Sequence, residues 1–245
     1  ARLLRRLSHP HIVRFVDLVV EDFFVCIVMQ YIDGGDMRSL LAKRRESREQ
    51  LPEADIWQWL LQIASALLYL HKAKILHRDV KPANIFLTAH SQNAILGDLG
   101  IAKVLDYTEA RAVTQIGTPG YLAPEVWLGQ RYSYAADVYS LGCTVYELAE
   151  LRMPFVANDR AVLAAQACHR RCAPITNKSY SRSLRSLVQL MLEKDPLLRP
   201  SPAQILLYAE RVSHGGAQNS GARDQPATRP PVVRSAGANA AGRGA

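Results

Sequence analysis

The sequence predicts an α+β fold in which a small β-rich segment precedes a mostly helical domain. Two β-like stretches, at residues 12–20 and 23–29, lie near the start and are separated by one polar pair. Helical periodicity dominates most of the remaining chain. The 245 residues are enough for one large domain or two small ones.

The β-like stretches are followed by a glycine-rich connection, YIDGGD, at residues 31–36 and a short helix at 37–45. A long amphipathic helix is predicted from Pro52, at its first position, to His71, with acidic residues favourably placed in the first turn. Short β-like pieces alternate with loops up to about residue 125. Further helices are predicted at 137–151, 160–168, 184–193 and 202–212.

The last predicted helix has its own start signals and is followed by a change in composition. Ser201 and Gln204 can form a capping box at its start, with Pro202 at the first helical position. Residues 213–245 are rich in Gly, Ala, Ser, Pro and Arg, which cannot bury enough apolar surface to order. We therefore expect a disordered basic tail over 213–245.

Composition limits the classes of function that need to be considered. No apolar run approaches the ~18 residues of a membrane span, so no membrane partner is expected. Part of the net charge of +8 belongs to the tail, and nucleic acid is not expected as a main partner.

The four cysteines do not make a disulfide framework in a chain of this length. Cys168 and Cys172 could share one helical face, but a metal site would need two more soft ligands nearby. Reduced thiols in an intracellular, cytoplasmic protein are the expectation.

One segment, HRDVKPANIFL at residues 77–87, concentrates polar residues suited to phosphoryl transfer. That reaction needs a group to orient and deprotonate the attacking hydroxyl, a cation near the moving phosphoryl group, and oxygen ligands for Mg²⁺. Asp79, Lys81 and Asn84 supply these types within six residues, and Asp98 follows fourteen residues after Asn84. A predicted hairpin of residues 85–87 and 94–96 would bring both groups to one edge.

These residues resemble the catalytic loop of the protein kinase family, and the resemblance covers about residues 1–212. Further similar motifs follow in order: GTPGYLAPE at 117–125, DVYSLGC at 137–143 and DPLLRP at 195–200. HPHIVRF, YIDGGDM, NIFL and GDLGIAKVL make the pattern most similar to NIMA-related serine/threonine kinases.

The resemblance implies a protein-kinase-like fold with a mainly helical C-lobe at residues 37–212. Residues 30–36 would be the hinge and linker. Residues 1–29 would be a remnant of the N-lobe, comprising the end of the regulatory helix and two strands.

By the same resemblance, Asp79 is the catalytic base and Lys81 offsets charge on the γ-phosphate. Asn84 and Asp98 would hold Mg²⁺ for a bound ATP, and the acceptor would be a serine or threonine hydroxyl of a protein substrate. Lys81, followed by Pro82, and Thr118 in GTP are typical of the serine/threonine-directed loop.

An adenine site is also implied by the resemblance. Gln30, Tyr31 and Ile32 would form the hinge whose backbone groups bind adenine, and Met29 would guard the pocket behind it. Phe86 would form the floor of the site, although an apolar residue there could equally be ordinary core.

Regulatory and structural roles complete the implied assignment. Phosphate on Thr114 would add a charge of about −2 and could pair with Arg78, while an ordinary exposed threonine is the alternative. Thr118 is assigned a regulatory position as well. Structural roles are implied for His77, Leu99, Gly100, Glu125, Asp137 and Arg199, with Arg199 pairing with Glu125.

Two departures from the family pattern stand out. Leu99 replaces the usual phenylalanine of the metal-binding motif, and it can fill the same apolar slot. More importantly, no Gly-x-Gly-x-x-Gly precedes residue 30 and no Val-Ala-x-Lys occurs upstream, so we expect an N-terminally truncated kinase with weak ATP affinity and little turnover from this chain alone.

Three hypotheses follow from the sequence. The chain is part of an active serine/threonine kinase, a pseudokinase acting as a scaffold, or a basic-tailed interaction protein in which the kinase features are incidental. Association with the cytoskeleton, centrosome or basal body is a family expectation only.

Overall fold

A computed structural model describes residues 5–21, 24–89, 93–98 and 118–218, with side chains described up to residue 212. Within these ranges the chain forms seven α-helices and two small antiparallel sheets, each of two strands. Both sheets are antiparallel and the rest of the fold is helical, which confirms the predicted α+β class.

The first sheet pairs β1 (Phe15–Glu21) with β2 (Phe24–Met29), in a register that runs from Phe15 opposite Met29 to Glu21 opposite Phe24. The second sheet pairs β3 (Ile85–Leu87) with β4 (Ala94–Leu96), which confirms the hairpin predicted after the polar loop. It places Asn84 and Gly97 side by side, and the Gly97 N–H donates to the Asn84 carbonyl oxygen at 2.8 Å.

The predicted strand at 12–20 begins later than expected, at Phe15. Ile12 instead forms a parallel bridge with Leu96 of β4, and the Val13 N–H donates to the Leu96 carbonyl at 2.8 Å. The apolar run is therefore divided between two sheets, and this division ties the first hairpin to the second.

The helical part follows the predicted order, with boundaries that differ by a few residues. The helices are α1 (Met37–Ser47), α2 (Glu53–Lys72), α3 (Pro124–Trp127), α4 (Tyr134–Glu150), α5 (Arg160–His169), α6 (Arg182–Met191) and α7 (Pro202–Gln218). Short 3₁₀ turns cover Pro82–Asn84, Pro119–Tyr121 and Pro196–Leu198.

Two helix ends correct the sequence prediction. Pro52 is the residue before α2 rather than its first helical residue, because its ψ of 137° is extended. Helix α7 continues to Gln218, so the predicted tail does not begin at residue 213. Gly215 and Gly216 are poor helix formers, but each costs only about 1 kcal/mol, which an established helix can absorb.

The start of α7 agrees with the predicted capping box. The Ser201 N–H donates to the Gln204 side chain at 2.8 Å, and the Gln204 N–H donates to the Ser201 hydroxyl at 3.3 Å. Two of the N–H groups left free at a helix start are thus satisfied locally.

Helix α4 is the centre of the core. Residues 136–149 are all buried, and the helix packs against α2 and α6. Gly142 allows the close approach to α6, because a Cβ atom there would lie 2.9 Å from the Cβ of Met191. A helix that is buried all round, as in this case, has its polar residues inside the protein, where each needs a partner.

The predicted pair between Arg199 and Glu125 is present, buried and bidentate. Nη1 and Nη2 of Arg199 each donate to a Glu125 carboxylate oxygen at 2.7 Å. The remaining donors of the guanidinium reach the carbonyl oxygens of Ala135, Glu193 and Lys194. All its N–H groups are therefore satisfied, and the pair joins α3 to the start of α4 and the segment before α7.

We expect Arg199→Met to lower the free energy of unfolding by about 3–5 kcal/mol, because it leaves the Glu125 carboxylate buried without its cation. Urea denaturation measures this change. The matched control is Arg44→Met, which breaks the exposed pair with Glu49 and should cost under about 1 kcal/mol. Equal effects of the two substitutions would contradict a stabilising role for the buried pair.

Candidate active site

The polar loop between α2 and β3 is held by the carboxylate of Asp137, which is fully buried near the start of α4. Oδ2 accepts the backbone N–H of His77 at 3.0 Å, and Oδ1 accepts that of Arg78 at 2.9 Å. Two side chains also donate to it at 2.9 Å, through Nε2 of His71 and the hydroxyl of Tyr132.

These four donors explain the charge state of Asp137. Burial alone would raise the pKa of its carboxyl group, because it disfavours the charged form. The hydrogen bond from His71, the nearby His77 ring and the two backbone N–H groups outweigh that cost, so the pKa lies below its ordinary value. Asp137 is therefore a carboxylate near neutral pH, and as an acceptor it fixes the first two residues of the loop.

His77 makes a second connection between the loop and the sheet. Its buried ring lies with Nε2 at 3.0 Å from the Gly97 carbonyl oxygen, and Nδ1 faces the backbone N–H of Asp79 at 3.3 Å. A neutral ring with its proton on Nε2 satisfies both contacts. Burial lowers the pKa of His77, which keeps this form populated near neutral pH.

Arg78 adopts a left-handed backbone conformation with φ of 67° between these two anchors. Such a conformation is unfavourable for a residue with a Cβ atom and persists only where surrounding contacts enforce it. The turn directs the chain from the Asp137 anchor into the segment that carries Asp79.

Asp79, Lys81, Asn84 and Thr118 form one hydrogen-bonded cluster. The Lys81 ammonium group donates to Asp79 Oδ2 at 2.9 Å and to the Thr118 hydroxyl at 2.7 Å. The Asn84 amide nitrogen donates to Asp79 Oδ2 at 3.1 Å and to the Asp79 carbonyl at 2.8 Å. Lys81 and Thr118, 37 residues apart in the sequence, thus meet beside the Asp79 carboxylate, which is partly exposed.

Asp98 lies one residue beyond Gly97, at the end of the β3–β4 hairpin, with an exposed side chain and a left-handed φ of 48°. Because the Asn84 amide nitrogen bonds to Asp79, the amide oxygen is the atom that remains for a cation. A neutral amide oxygen and a carboxylate are the hard donors that Mg²⁺ prefers, so these two residues fit that ion.

The predicted hinge follows β2 directly. The Gln30 N–H is already used, donating to the Arg14 carbonyl at 2.9 Å, while the backbone of Ile32 makes no hydrogen bond within the described ranges. Met29 and Tyr31 are exposed, and Ile32 is buried. Phe86 is half-buried and packs with Val13, Ile32 and Ile95, so it has a core role whether or not it also contacts a ligand.

The linker after the hinge is clasped onto β3, a contact that the sequence did not predict. The Gly34 N–H donates to the Leu87 carbonyl at 2.9 Å, and the Leu87 N–H donates to the Gly35 carbonyl at 2.8 Å. A Cβ atom at Gly34 would lie 2.3 Å from the Leu87 oxygen, so this approach requires glycine. The clasp fixes the hinge relative to the polar cluster.

Three of the predicted positions, Leu99, Gly100 and Thr114, lie outside the described residues, and their roles stay predictions. The pairing of Arg78 with a phosphate on Thr114 is untested for the same reason. Thr118 is described, and its hydroxyl accepts from Lys81.

Sequence reasoning missed His71 and Tyr132, the two side chains that complete the shell of Asp137. His71 looked like the end of an amphipathic helix, and Tyr132 lies in a loop without a motif. A usable signal was the buried Asp137 itself, because a carboxylate predicted inside a helix core needs several donors.

Together, the central buried helix, the β-hairpin and the loop anchored between them define a protein-kinase-like fold. The sequence model of the protein kinase domain family matches residues 1–209. The chain therefore belongs to the protein kinase family.

Similar curated proteins carry Nek names, which confirms the predicted resemblance to NIMA-related kinases. The chain is 40% identical over 212 residues to the probable serine/threonine-protein kinase nek2 of Dictyostelium discoideum, covering 84% of this chain and 50% of that protein. It is 41% identical over 204 residues to human Nek5 and 43% identical over 209 residues to mouse Nek4, covering 83% and 84% of this chain. The matched region is 28% and 26% of those two relatives, so it spans half or less of each of the three.

Two features of other protein classes are absent from the described part of the chain. None of its helices is both long and apolar enough to cross a membrane. No cluster of three or more His, Cys, Asp or Glu side chains within it is arranged to hold a metal ion.

The environment of His77 predicts a pH-dependent stability. In the unfolded chain a histidine takes up a proton near pH 6.5, whereas the folded protein resists protonation at His77 because its pKa is lowered. The unfolded state therefore binds more protons below about pH 6.5, and the free energy of unfolding falls as the pH drops from 7 to 5, by up to about 1.4 kcal/mol per pH unit. His77→Gln should flatten this slope in urea titrations.

The exposed His169 provides the control, since His169→Gln should leave the slope unchanged. The interpretation fails if His77→Gln keeps the wild-type slope, whatever its effect on stability at pH 7.

Proposed function

We propose that the protein transfers the γ-phosphoryl group of Mg-ATP to a serine or threonine hydroxyl of a protein substrate. The observation that carries this proposal is the cluster in which one lysine bridges Asp79 Oδ2 and the Thr118 hydroxyl while Asn84 bonds the same carboxylate. The kinase family match and the serine/threonine-kinase relatives support the same reaction.

Asp79 orients the substrate hydroxyl and accepts its proton, for which its partly exposed carboxylate and its anchored loop are suited. The Lys81 ammonium group lies 2.9 Å from Asp79 Oδ2 and offsets negative charge on the γ-phosphate. Thr118 restrains the lysine from the opposite side, so the ammonium group is held without a rearrangement at the moment of reaction.

Asn84 and Asp98 are the proposed ligands of Mg²⁺, which supplies positive charge at the phosphate oxygens when bound. The adenine is proposed to meet the free backbone groups of Ile32 in the hinge and the Phe86 side chain at the floor of the site. Met29 lies at the end of β2, where a side chain limits the space behind the hinge.

A scaffold function without catalysis is the alternative, because a kinase-like fold does not by itself imply phosphoryl transfer. The cluster favours catalysis instead, because charged groups gathered around one partly exposed carboxylate are typical of functional sites.

We expect Asp79→Asn and Asp98→Ala each to lower kcat by at least about 10²-fold. The measurement is incorporation of labelled phosphate into casein or myelin basic protein. The full-length protein with Mg-ATP is the material for this assay. The matched control is Glu46→Gln on the exposed surface of α1, which should retain wild-type activity.

Incorporation that persists unchanged in both aspartate variants would show that the assigned roles are wrong. Absence of incorporation with the wild-type protein under the same conditions would favour the scaffold.

The Thr118 hydroxyl offers a finer test of the cluster. Thr118→Val keeps the shape but removes the acceptor at 2.7 Å from Lys81, so kcat should fall by about tenfold, the value of one hydrogen bond to a charged group. Thr118→Ser should stay near wild type. Equal kcat values for the valine and serine variants, measured with KM for ATP, would refute a positioning role for this hydroxyl.

A further inference from the structure

A cavity lies beside His71, one of the side chains that donate to Asp137. It has a volume of about 500 Å³ and opens between the end of α2, the start of α4 and the segment that leads into α7. None of its lining residues belongs to the polar cluster of Asp79. Cavities of ~300–1,000 Å³ are the size that small-molecule ligands occupy.

The interior of the cavity is mainly apolar. Leu68 of α2, Val138 of α4, and Leu197, Pro200 and Ala203 near α7 contribute aliphatic surface. Tyr134 adds an aromatic ring, which is held against the His71 ring at a centroid distance of 4.5 Å. This lining suits a ligand with an apolar or aromatic body.

The rim of the cavity is cationic. Lys72 and Lys74 line it, both are exposed, and neither forms an ion pair within the part of the chain that the structure describes. Arg199 also lines the cavity, but its charge is already matched by Glu125. No lining residue is acidic. An apolar cavity with two unmatched ammonium groups at its mouth is complementary to an anion with an apolar body.

We propose that this cavity, here called the rear cavity, binds a small amphipathic anion: an aromatic or aliphatic body that carries one carboxylate or sulfonate. The body packs among the apolar residues behind α4, and the anionic group meets Lys72 and Lys74. This site is distinct from the nucleotide and substrate sites proposed above.

A ligand in the rear cavity contacts the support of the catalytic loop. His71 lines the cavity, and its Nε2 bonds Asp137 Oδ2 at 2.9 Å. The same oxygen accepts the His77 N–H, and its partner oxygen accepts that of Arg78. Packing against His71 and Tyr134 therefore restrains the carboxylate that positions the loop, and the two amides should open to solvent less often.

The direct test uses two fluorescent probes that differ in one group. 8-Anilinonaphthalene-1-sulfonate has an aromatic body and one sulfonate, and N-phenyl-1-naphthylamine is the same body without the charge. We expect the sulfonate probe to bind more tightly than the neutral one to the wild-type protein, with its Kd taken from fluorescence titration at low salt.

Two variants localise that binding. Lys72→Glu combined with Lys74→Glu should weaken the sulfonate probe about tenfold and leave the neutral probe unchanged, because only the charge at the rim is altered. Ala203→Phe should weaken both probes by filling the cavity. The matched controls are Lys43→Glu on α1 and Leu207→Phe on the exposed face of α7, with circular dichroism confirming that all variants are folded.

Unchanged affinity of the sulfonate probe in both cavity variants would overturn the proposal and place the probe elsewhere, for example on the exposed apolar side chains of the β1–β2 hairpin. The link to the loop is read by hydrogen exchange of the peptide that contains His77 and Arg78. At a probe concentration of ten times Kd, exchange of these amides should slow by about tenfold, and equal exchange with and without probe would overturn the link. Neither measurement requires phosphoryl transfer, so a protein that proves to be a scaffold still tests this proposal.

Discussion

The arrangement of the whole site depends on one buried carboxylate, that of Asp137. An ion removed from water is costly unless several donors replace its hydration, and Asp137 has four donors, from three separate parts of the chain. The polar loop has no regular secondary structure before the turn at Pro82. Its position is therefore set from outside, by an acceptor on the most buried helix of the protein.

The second requirement is that two further segments of the chain meet beside the polar loop. The β3–β4 hairpin carries Asp98 and is tied to the loop through the His77 ring and the Asn84 carbonyl. The other segment carries Thr118, whose hydroxyl accepts from Lys81. Helix α3 follows this segment and is fixed by the buried pair of Glu125 with Arg199. The ties from His77 to Gly97 and from Arg199 to Glu125 are satisfied buried polar contacts, so a small displacement costs hydrogen bonds rather than only packing.

The sequence was most informative where spacing alone encodes the chemistry. Asp79, Lys81 and Asn84 lie within one loop, and the short hairpin after them could be read directly from the apolar runs, which is why the cluster was predictable. His71, Tyr132 and the glycine clasp at Gly34 were not, because each meets its partner only after helices and strands have packed, and no local pattern records that contact. The division of the first apolar run between two sheets has the same origin, since both pairings suit the same residues.

The two faces of Asp137 differ in how they can be altered. Towards the loop its partners are backbone N–H groups, which among substitutions only proline removes. On the opposite face its partners are the side chains of His71 and Tyr132, and His71 also lines the rear cavity. A contact that affects the loop through Asp137 without touching the Asp79 cluster can therefore act on these two side chains. Asp137 keeps its negative charge at neutral pH, because its pKa is lowered. All four donors bond to the same carboxylate, so a contact that shifts one of them also alters the hydrogen bonds to His77 and Arg78.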